Sequence, residues 1–489
     1  MTPSETRSNL SYTSLFMMLW CLMIIAEYDN MFNWRDSPYH VLSILTAYTG
    51  LFFARSKYVM AAVCLFQMLS CFKDMPVTAN HWFFSMILSG LLLCTLGWQI
   101  VRDRFNNAPI DTEYPKKVFP VIRLLVVLMY FMAVFHKLNT DFFDPQVSCA
   151  VHIWEQIASG GFMLPLPADP PLWFRHLLIY GTLLIELTIP VLLSMRRTWF
   201  VALIVGGGFH LMTGLIMRHF PVLICALYFL FIPKGAARPL TQKFETLIRR
   251  ISQDSFGVIG ALILQAVVMT LGSVLAFLHD YSREIGHYRW GAYADQSALW
   301  PLLRVWWLLA AAVFGMTVFF VIRHGYYRIQ RDQLFRTRWF AAYAVVPVFM
   351  LNCLAPYLGL KTVDTMAMWS NLNTLNGENN HMVLRGNGWK VFPYGDDMVE
   401  IIDTNVPEWR QKLVYENRLV AWTMLKQMVQ DRVRTSRARI YLKYRRGGLV
   451  ETVDDAAWNP ELMDTNPYWF RKCVFIKLVS KGEVRECSW

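Results

Sequence analysis

The sequence predicts an all-α polytopic membrane bundle of about 11 transmembrane helices, followed by a small extracytoplasmic α+β domain. Three observations predict it. The 489 residues are 55% hydrophobic and only 17% charged, at a mean hydropathy of +0.31, whereas ordinary soluble domains run about 25% charged. The apolar residues are gathered into runs approaching the length that crosses hydrocarbon as a helix, roughly 17 to 25 residues. Near residue 359 those runs stop, and charged, turn-rich, alternating sequence takes over. This composition excludes a disordered tail protein and a coiled coil, and it fits a soluble enzyme poorly.

The apolar runs fall at 12–28, 41–54, 57–71, 82–101, 118–135, 172–194, 198–216, 220–233, 256–278, 300–322 and 339–358. Those at 41–54, 57–71 and 220–233 are short and call for tilt, extension into their flanks or a re-entrant course. The first run lacks a positive leader beyond Arg7 and a small-residue cleavage site, so it reads as a retained helix. The formal charge of +12 belongs to loops and argues for topology, not for a nucleic-acid partner. With the N-terminus in the cytoplasm, the inner loops 102–117, 234–250 and 323–338 hold the heavy basic runs. The short outer loops hold only Arg35, Lys73, Lys137, Arg218, Arg283 and Arg289. Positive segments are retained inside, which places the C-terminal part outside.

That C-terminal part carries turn signals at Gly386-Asn387-Gly388 and Arg446-Gly447-Gly448 and alternating stretches at 439–444 and 473–479 that read as strands. Residues 407–433 read as a helix, with Trp409, Leu413, Leu419, Trp422, Leu425 and Met428 giving an apolar face. The polar stretch 234–255 is the best internal boundary, so the chain divides at 1–235, 236–358 and 359–489. Nine cysteines are scattered with no CxxC pair and no metal-ligand spacing, and no metal site is expected. Cys473 and Cys487 stand open as a pair with each other, as partners of Cys149, or as free thiols.

Ionisable groups at membrane depth are costly and are functional candidates by default. His81, His136, Lys137, His210, Arg218 and His219 all fall at the outer ends of their runs, and Glu186 lies inside one. Lys137 either snorkels to the interface or turns inward, where burial favours a neutral amine able to act as a general base. His81 opens its helix as a cap or as a ligand. His210 follows Gly206-Gly207-Gly208, where a neighbouring backbone can approach closely. Glu186 must find a cationic partner or carry a proton, and Pro190 one turn later frees a carbonyl. The loop 138–171 is long enough to serve as a lid or a re-entrant segment over the same face. His279, Asp280 and His287 read as a polar interfacial loop.

Taken in order, these segments resemble the vitamin K-dependent γ-carboxylase family and its bacterial relatives with the horizontally transferred transmembrane (HTTM) domain. Asn80-His81 before Trp-Phe-Phe-Ser-Met-Ile-Leu-Ser-Gly is similar to the family's Asn-His helix start. Phe135-His136-Lys137-Leu138-Asn139-Thr140-Asp141-Phe142 is similar to its Lys-Leu-Asp/Asn motif. Gly208-Phe209-His210 with Phe220-Pro221 is similar to its Phe-His and Phe-Pro signature. The resemblance covers about residues 10–235, and Met368-Trp369-Ser370-Asn371 matches a Trp/Met-rich segment of the carboxylases more loosely. The family commonly carries a second Lys before the lysine and Trp then Gly after it, where this chain has His136, Phe142 and Asp144-Pro145.

The resemblance implies a membrane enzyme that takes reduced vitamin K or menaquinol as cofactor and modifies a peptide or small substrate at the outer face. It implies that Lys137 deprotonates the quinol and that His81 supports the reaction. Lys137, His81 and His210 are then the catalytic candidates, and Asn80, His136, Glu186 and Asn139 the candidates for holding the cofactor. The partners implied are membrane lipid, a lipid quinone and an exported peptide, in a bacterial inner membrane with the endoplasmic reticulum as the alternative. A non-catalytic HTTM protein that binds or matures an exported peptide is the competing reading. A transporter is weaker, because no inverted repeat is evident.

Overall fold

A computed structural model describes residues 12–28, 37–76, 78–106, 114–159, 167, 169–217, 220–237, 300–329, 334–436, 438–481 and 487. The front of the chain is helical: α1 (Tyr12–Tyr28), α2 (Pro38–Phe52), α3 (Lys57–Asp74), α4 (Asn80–Asn106), α5 (Phe119–Lys137), the single turn α6 (Thr140–Phe143), α7 (Cys149–Ser159), α8 (Leu172–Ser194), α9 (Trp199–Met217) and α10 (Phe220–Tyr228). Two further helices follow, α11 (Trp300–Arg323) and α12 (Val345–Leu354), the latter entered through a 3-10 turn at Phe340–Ala344. Local chemistry starts them where expected. Ser37 and Ser56 accept backbone N–H groups at the heads of α2 and α3, and proline sits in the first turn of α2 and α5, where its missing donor costs nothing.

Ten of the eleven expected apolar runs are helical, and the run 256–278 lies outside the described residues. Three described helices are long and apolar enough by themselves to cross a membrane, Asn80–Asp103, Phe119–Lys137 and Leu172–Ser194, while Tyr12–Ala26, Trp199–Gly214, Phe220–Phe231 and Phe340–Leu354 are shorter. On α8, Trp173, Leu177, Tyr180, Leu184, Leu187 and Val191 are all exposed. Their spacing of three and four residues makes one outward apolar stripe, a surface that water does not tolerate and lipid does. With these apolar helices packed together, α3 along α4, α5 against α8 and α8 against α9, the protein is an integral membrane protein.

The C-terminal part is a small antiparallel sheet with helices: β1 (Met398–Thr404), β2 (Arg418–Ala421), α13 (Trp422–Thr435), β3 (Leu442–Arg446), β4 (Leu449–Val453), α14 (Tyr468–Cys473) and β5 (Val479–Ser480), in the order β4-β3-β1-β2-β5. Val399, Ile401, Val420, Leu442 and Tyr444 bury one face against Leu425 and Val429 of α13. Gly447 and Gly448, both at positive φ, make the tight turn between β3 and β4.

Two expectations are corrected here. The helix expected over 407–433 is broken, because Asn417 turns the chain at φ +51 and Leu419 pairs with β1 as a strand before α13 begins. Of the strand expected at 473–479 only Val479 pairs with β2, followed by Ser480 beyond the expected end, since Tyr468–Cys473 is helical.

Candidate functional site at one end of the bundle

The C-terminal end of α5 and the N-terminal start of α4 lie at the same end of the bundle, and residues 357–381 fold over it. Lys137, in the last turn of α5, is 4% exposed. Its ammonium lies 2.9 Å from the Glu186 carboxylate of α8 and 6.0 Å from the centre of the Phe142 ring. The lysine therefore turns inward, and Glu186 has its cation. Pro190 cannot donate to the Glu186 carbonyl one turn back, so that carbonyl lacks its ordinary helical donor.

Two turns before Lys137 on the same face of α5, about 10 Å along the axis, stands Tyr130. Its hydroxyl bonds His210 Nε2 of α9 and lies 2.6 Å from the Tyr228 hydroxyl of α10. The Glu186 carboxylate is within electrostatic reach of this phenol. His210 is 2% exposed, and its Nδ1 has no hydrogen-bond partner among the described residues. Gly206 is what lets Tyr228 in: a Cβ there would lie 2.1 Å from the tyrosine oxygen. Gly207 likewise admits the Phe314 ring and Gly208 meets nothing within 4 Å, so what approaches this stretch is aromatic side chains and not the neighbouring backbone expected from the glycines.

Asn80 and His81 open α4. Asn80 Oδ1 accepts the Met366 N–H at 2.7 Å. The His81 ring meets the edge of Phe220 at 6.4 Å and His210 meets the same ring at 5.3 Å, so the two histidines flank one phenylalanine. His136 and Asn139 do different work. A carbonyl can only accept, so His136 Nε2–H donates to Thr365 O at 3.1 Å, and its bare Nδ1 accepts from the Tyr357 hydroxyl at 2.9 Å. The Asn139 amide donates to the carbonyls of His136 and Ser370, and its oxygen accepts the Phe142 N–H. Both are fully engaged in joining the end of α5 to the covering segment.

His381, which the sequence reading missed, makes the same kind of joint. Its Nδ1 accepts from the Val383 and Leu384 N–H groups, so Nε2–H donates to Phe135 O at 2.9 Å, and burial pushes its pKa down.

The covering segment is strained. Asp364, Met366, Trp369 and Asn371 all have φ between 53° and 62°, a region costing roughly 1 to 2 kcal/mol for a residue with a side chain, least for Asn and Asp. Met366 is held by Asn80, while Trp369 is buried with Phe142 and Cys149. Such strain persists where surroundings over-determine the backbone, as at many functional sites. Beneath it, Asp364 is 2% exposed, and burial pushes its carboxyl up to about 7 against the opposing pull of Lys361. Burial in turn lowers Lys361, whose ammonium sits 4.4 Å over the Phe83 ring of α4.

The loop 138–171 contributes α6 and α7, and Cys149 at the head of α7 is disulfide-bonded to Cys487. Of the three arrangements open to the sequence this is the one formed, and Cys473 is an exposed free thiol. Arg218, His219, His279, Asp280 and His287 lie outside the described residues. Tyr130 and Tyr228 were also missed, although the seven-residue spacing of Tyr130 and Lys137 was a readable signal. Tyr357, Thr365 and His381 gave none, Tyr357 closing the last apolar run and the other two lying in polar sequence far along the chain.

No curated protein and no solved structure matches the chain. Residues 18–235 match the HTTM domain family, and this stretch of the chain, which contains α4, α5, α8, α9 and α10 with Lys137, Glu186 and His210, is an HTTM domain.

Proposed function

We propose that the protein is an integral membrane enzyme of the vitamin K-dependent γ-carboxylase type, using a reduced quinone and Lys137 as base to modify a peptide or small substrate at the outer face. The observation that carries this reading is the inward Lys137, buried and paired with Glu186 at 2.9 Å on the same α5 face as Tyr130, the middle member of the His210–Tyr130–Tyr228 chain. A structural anchor would leave the ammonium in the headgroups.

The residues suit a reduced quinone, whose head is an apolar ring bearing hydroxyls. His210 Nδ1 is a buried polar atom with no partner among the described residues, and Phe220 and the apolar faces of α5 and α9 surround it. When bound, the quinol supplies an acidic phenol and reducing equivalents. With a quinol in the site, the Lys137 amine would stand as the acceptor of a phenol proton, and the Glu186 carboxylate 2.9 Å away would hold the lysine side chain in place. Tyr130 holds the His210 ring through Nε2, and Tyr228 holds the Tyr130 hydroxyl. Asn80, through Met366, holds the covering segment that keeps water out.

The remaining apolar runs would bring the bundle to about 11 crossings, with the chain divided at 1–235, 236–358 and 359–489. The Cys149–Cys487 bond supports an oxidising compartment for the C-terminal part and so fits a cytoplasmic N-terminus, in the bacterial inner membrane that we propose or in the endoplasmic reticulum. A second reading, a non-catalytic membrane protein that binds or matures an exported peptide, draws on the full engagement of His136 and Asn139 in structural joints. Photolabelling with an azido-quinone separates the two. Adducts on peptides from α5, α8 and α9 are expected, and labelling that leaves all three untouched would overturn the quinone reading.

A further inference from the structure

We infer that α14 is a membrane-interface anchor, through which the C-terminal domain is seated on the bilayer beside the bundle. On α3, Tyr58, Leu65 and Phe72 are exposed and lie seven residues apart, so they form one stripe along the helix. That helix packs along α4, itself long and apolar enough to cross the membrane, and the stripe therefore faces lipid. It does not stop at the end of the helix. The Tyr468 ring of α14 lies 6.4 Å from Phe72, and both Tyr468 and Trp469 are exposed, Trp469 at 63%.

The junction is fixed by Lys472. Its ammonium donates to the carbonyls of Lys73 at 2.7 Å and Met75 at 2.8 Å, placing a positive charge on the open carbonyls at the C-terminus of α3. It also sits 5.7 Å from the Phe72 ring and 5.9 Å from the Tyr468 ring. An exposed Tyr-Trp pair held at the end of a lipid-facing stripe is at the depth where amphipathic rings are favoured, with one edge in hydrocarbon and the polar edge among headgroups. Lys73 and Arg471 stand beside it. The occupant this surface fits is therefore the lipid interface, continuous with the lipid already against α3.

The test uses the full chain in vesicles of phosphatidylethanolamine and phosphatidylglycerol, with benzoylphenylalanine replacing one residue at a time and adducts read by mass spectrometry. Leu65→benzoylphenylalanine reports lipid contact on α3, and Trp458→benzoylphenylalanine, at a site 86% exposed, reports a water-facing ring. Trp469→benzoylphenylalanine is expected to give lipid adducts comparable to those at 65 and well above those at 458. Adducts at 469 no more abundant than at 458, or adducts to protein alone, would overturn the inference. So would lipid adducts at 469 that persist unchanged when Lys472→Ala releases the junction.

Discussion

Removing one member of the Lys137–Glu186 pair should cost far more than removing both. At 2.9 Å the Coulomb attraction is about 6 kcal/mol at an effective dielectric constant near 20. Desolvating two ions to side chains only 5% and 12% exposed costs several kcal/mol each, so the intact pair contributes little net stability. Breaking it is another matter. Glu186→Leu leaves an ammonium buried without its counter-charge, a loss of about 3 to 5 kcal/mol, while Lys137→Met with Glu186→Leu together is close to neutral. Helices separated within a membrane still find polar partners, which favours the lower end. Chemical unfolding of the full chain in detergent, read for both single variants and the double, gives the coupling energy. Additivity within about 0.5 kcal/mol would refute the buried pair and return Lys137 to the interface.

Gly206→Ala pushes a methyl to within 2.1 Å of the Tyr228 oxygen and 2.7 Å of its ring. It should destabilise by about 1 to 3 kcal/mol, with part of the loss recovered in thermal unfolding when Tyr228→Phe removes the hydroxyl. Asp364, pushed by burial from 3.8 to about 7, makes stability depend on pH. Between those values the folded protein keeps a proton that the unfolded chain has released, so stability is fully present below the lower value and falls as pH rises through the window. Asp364→Asn should flatten that slope, and an unchanged profile would remove Asp364 as its source. Maleimide should label Cys473 at once and Cys149 and Cys487 only after reduction. Cys487→Ser should expose Cys149 to the reagent and lower stability by about 2 to 4 kcal/mol.

The helical ends of the account were legible because apolar runs and their caps are local. The caps Ser37 and Ser56 and the first-turn prolines Pro38 and Pro120 set helix starts that the sequence reading did not mark, though their signals are local and were there to be read. Contacts between distant segments were not legible. Nothing in the sequence joins His136 to Thr365, Asn80 to Met366 or Asn139 to Ser370, since each bond is set by how the covering segment folds back over the bundle. The same holds for 407–433, where helical spacing of apolar residues survives but Asn417 and the pairing of β2 with β1 override it. His136 and Asn139 show the limit of reading chemistry from motif position, because both lie beside Lys137 and both are spent on holding backbone.

The most direct test of the central claim is whether the purified full chain, supplied with dioxygen, converts reduced vitamin K or menaquinol to its epoxide and water, comparing wild type with Lys137→Ala. The account predicts epoxide from the wild type and its loss in the variant, with the pairing variant Glu186→Gln also impaired. Epoxide formed equally by wild type and Lys137→Ala, or by neither across several quinols, would contradict it.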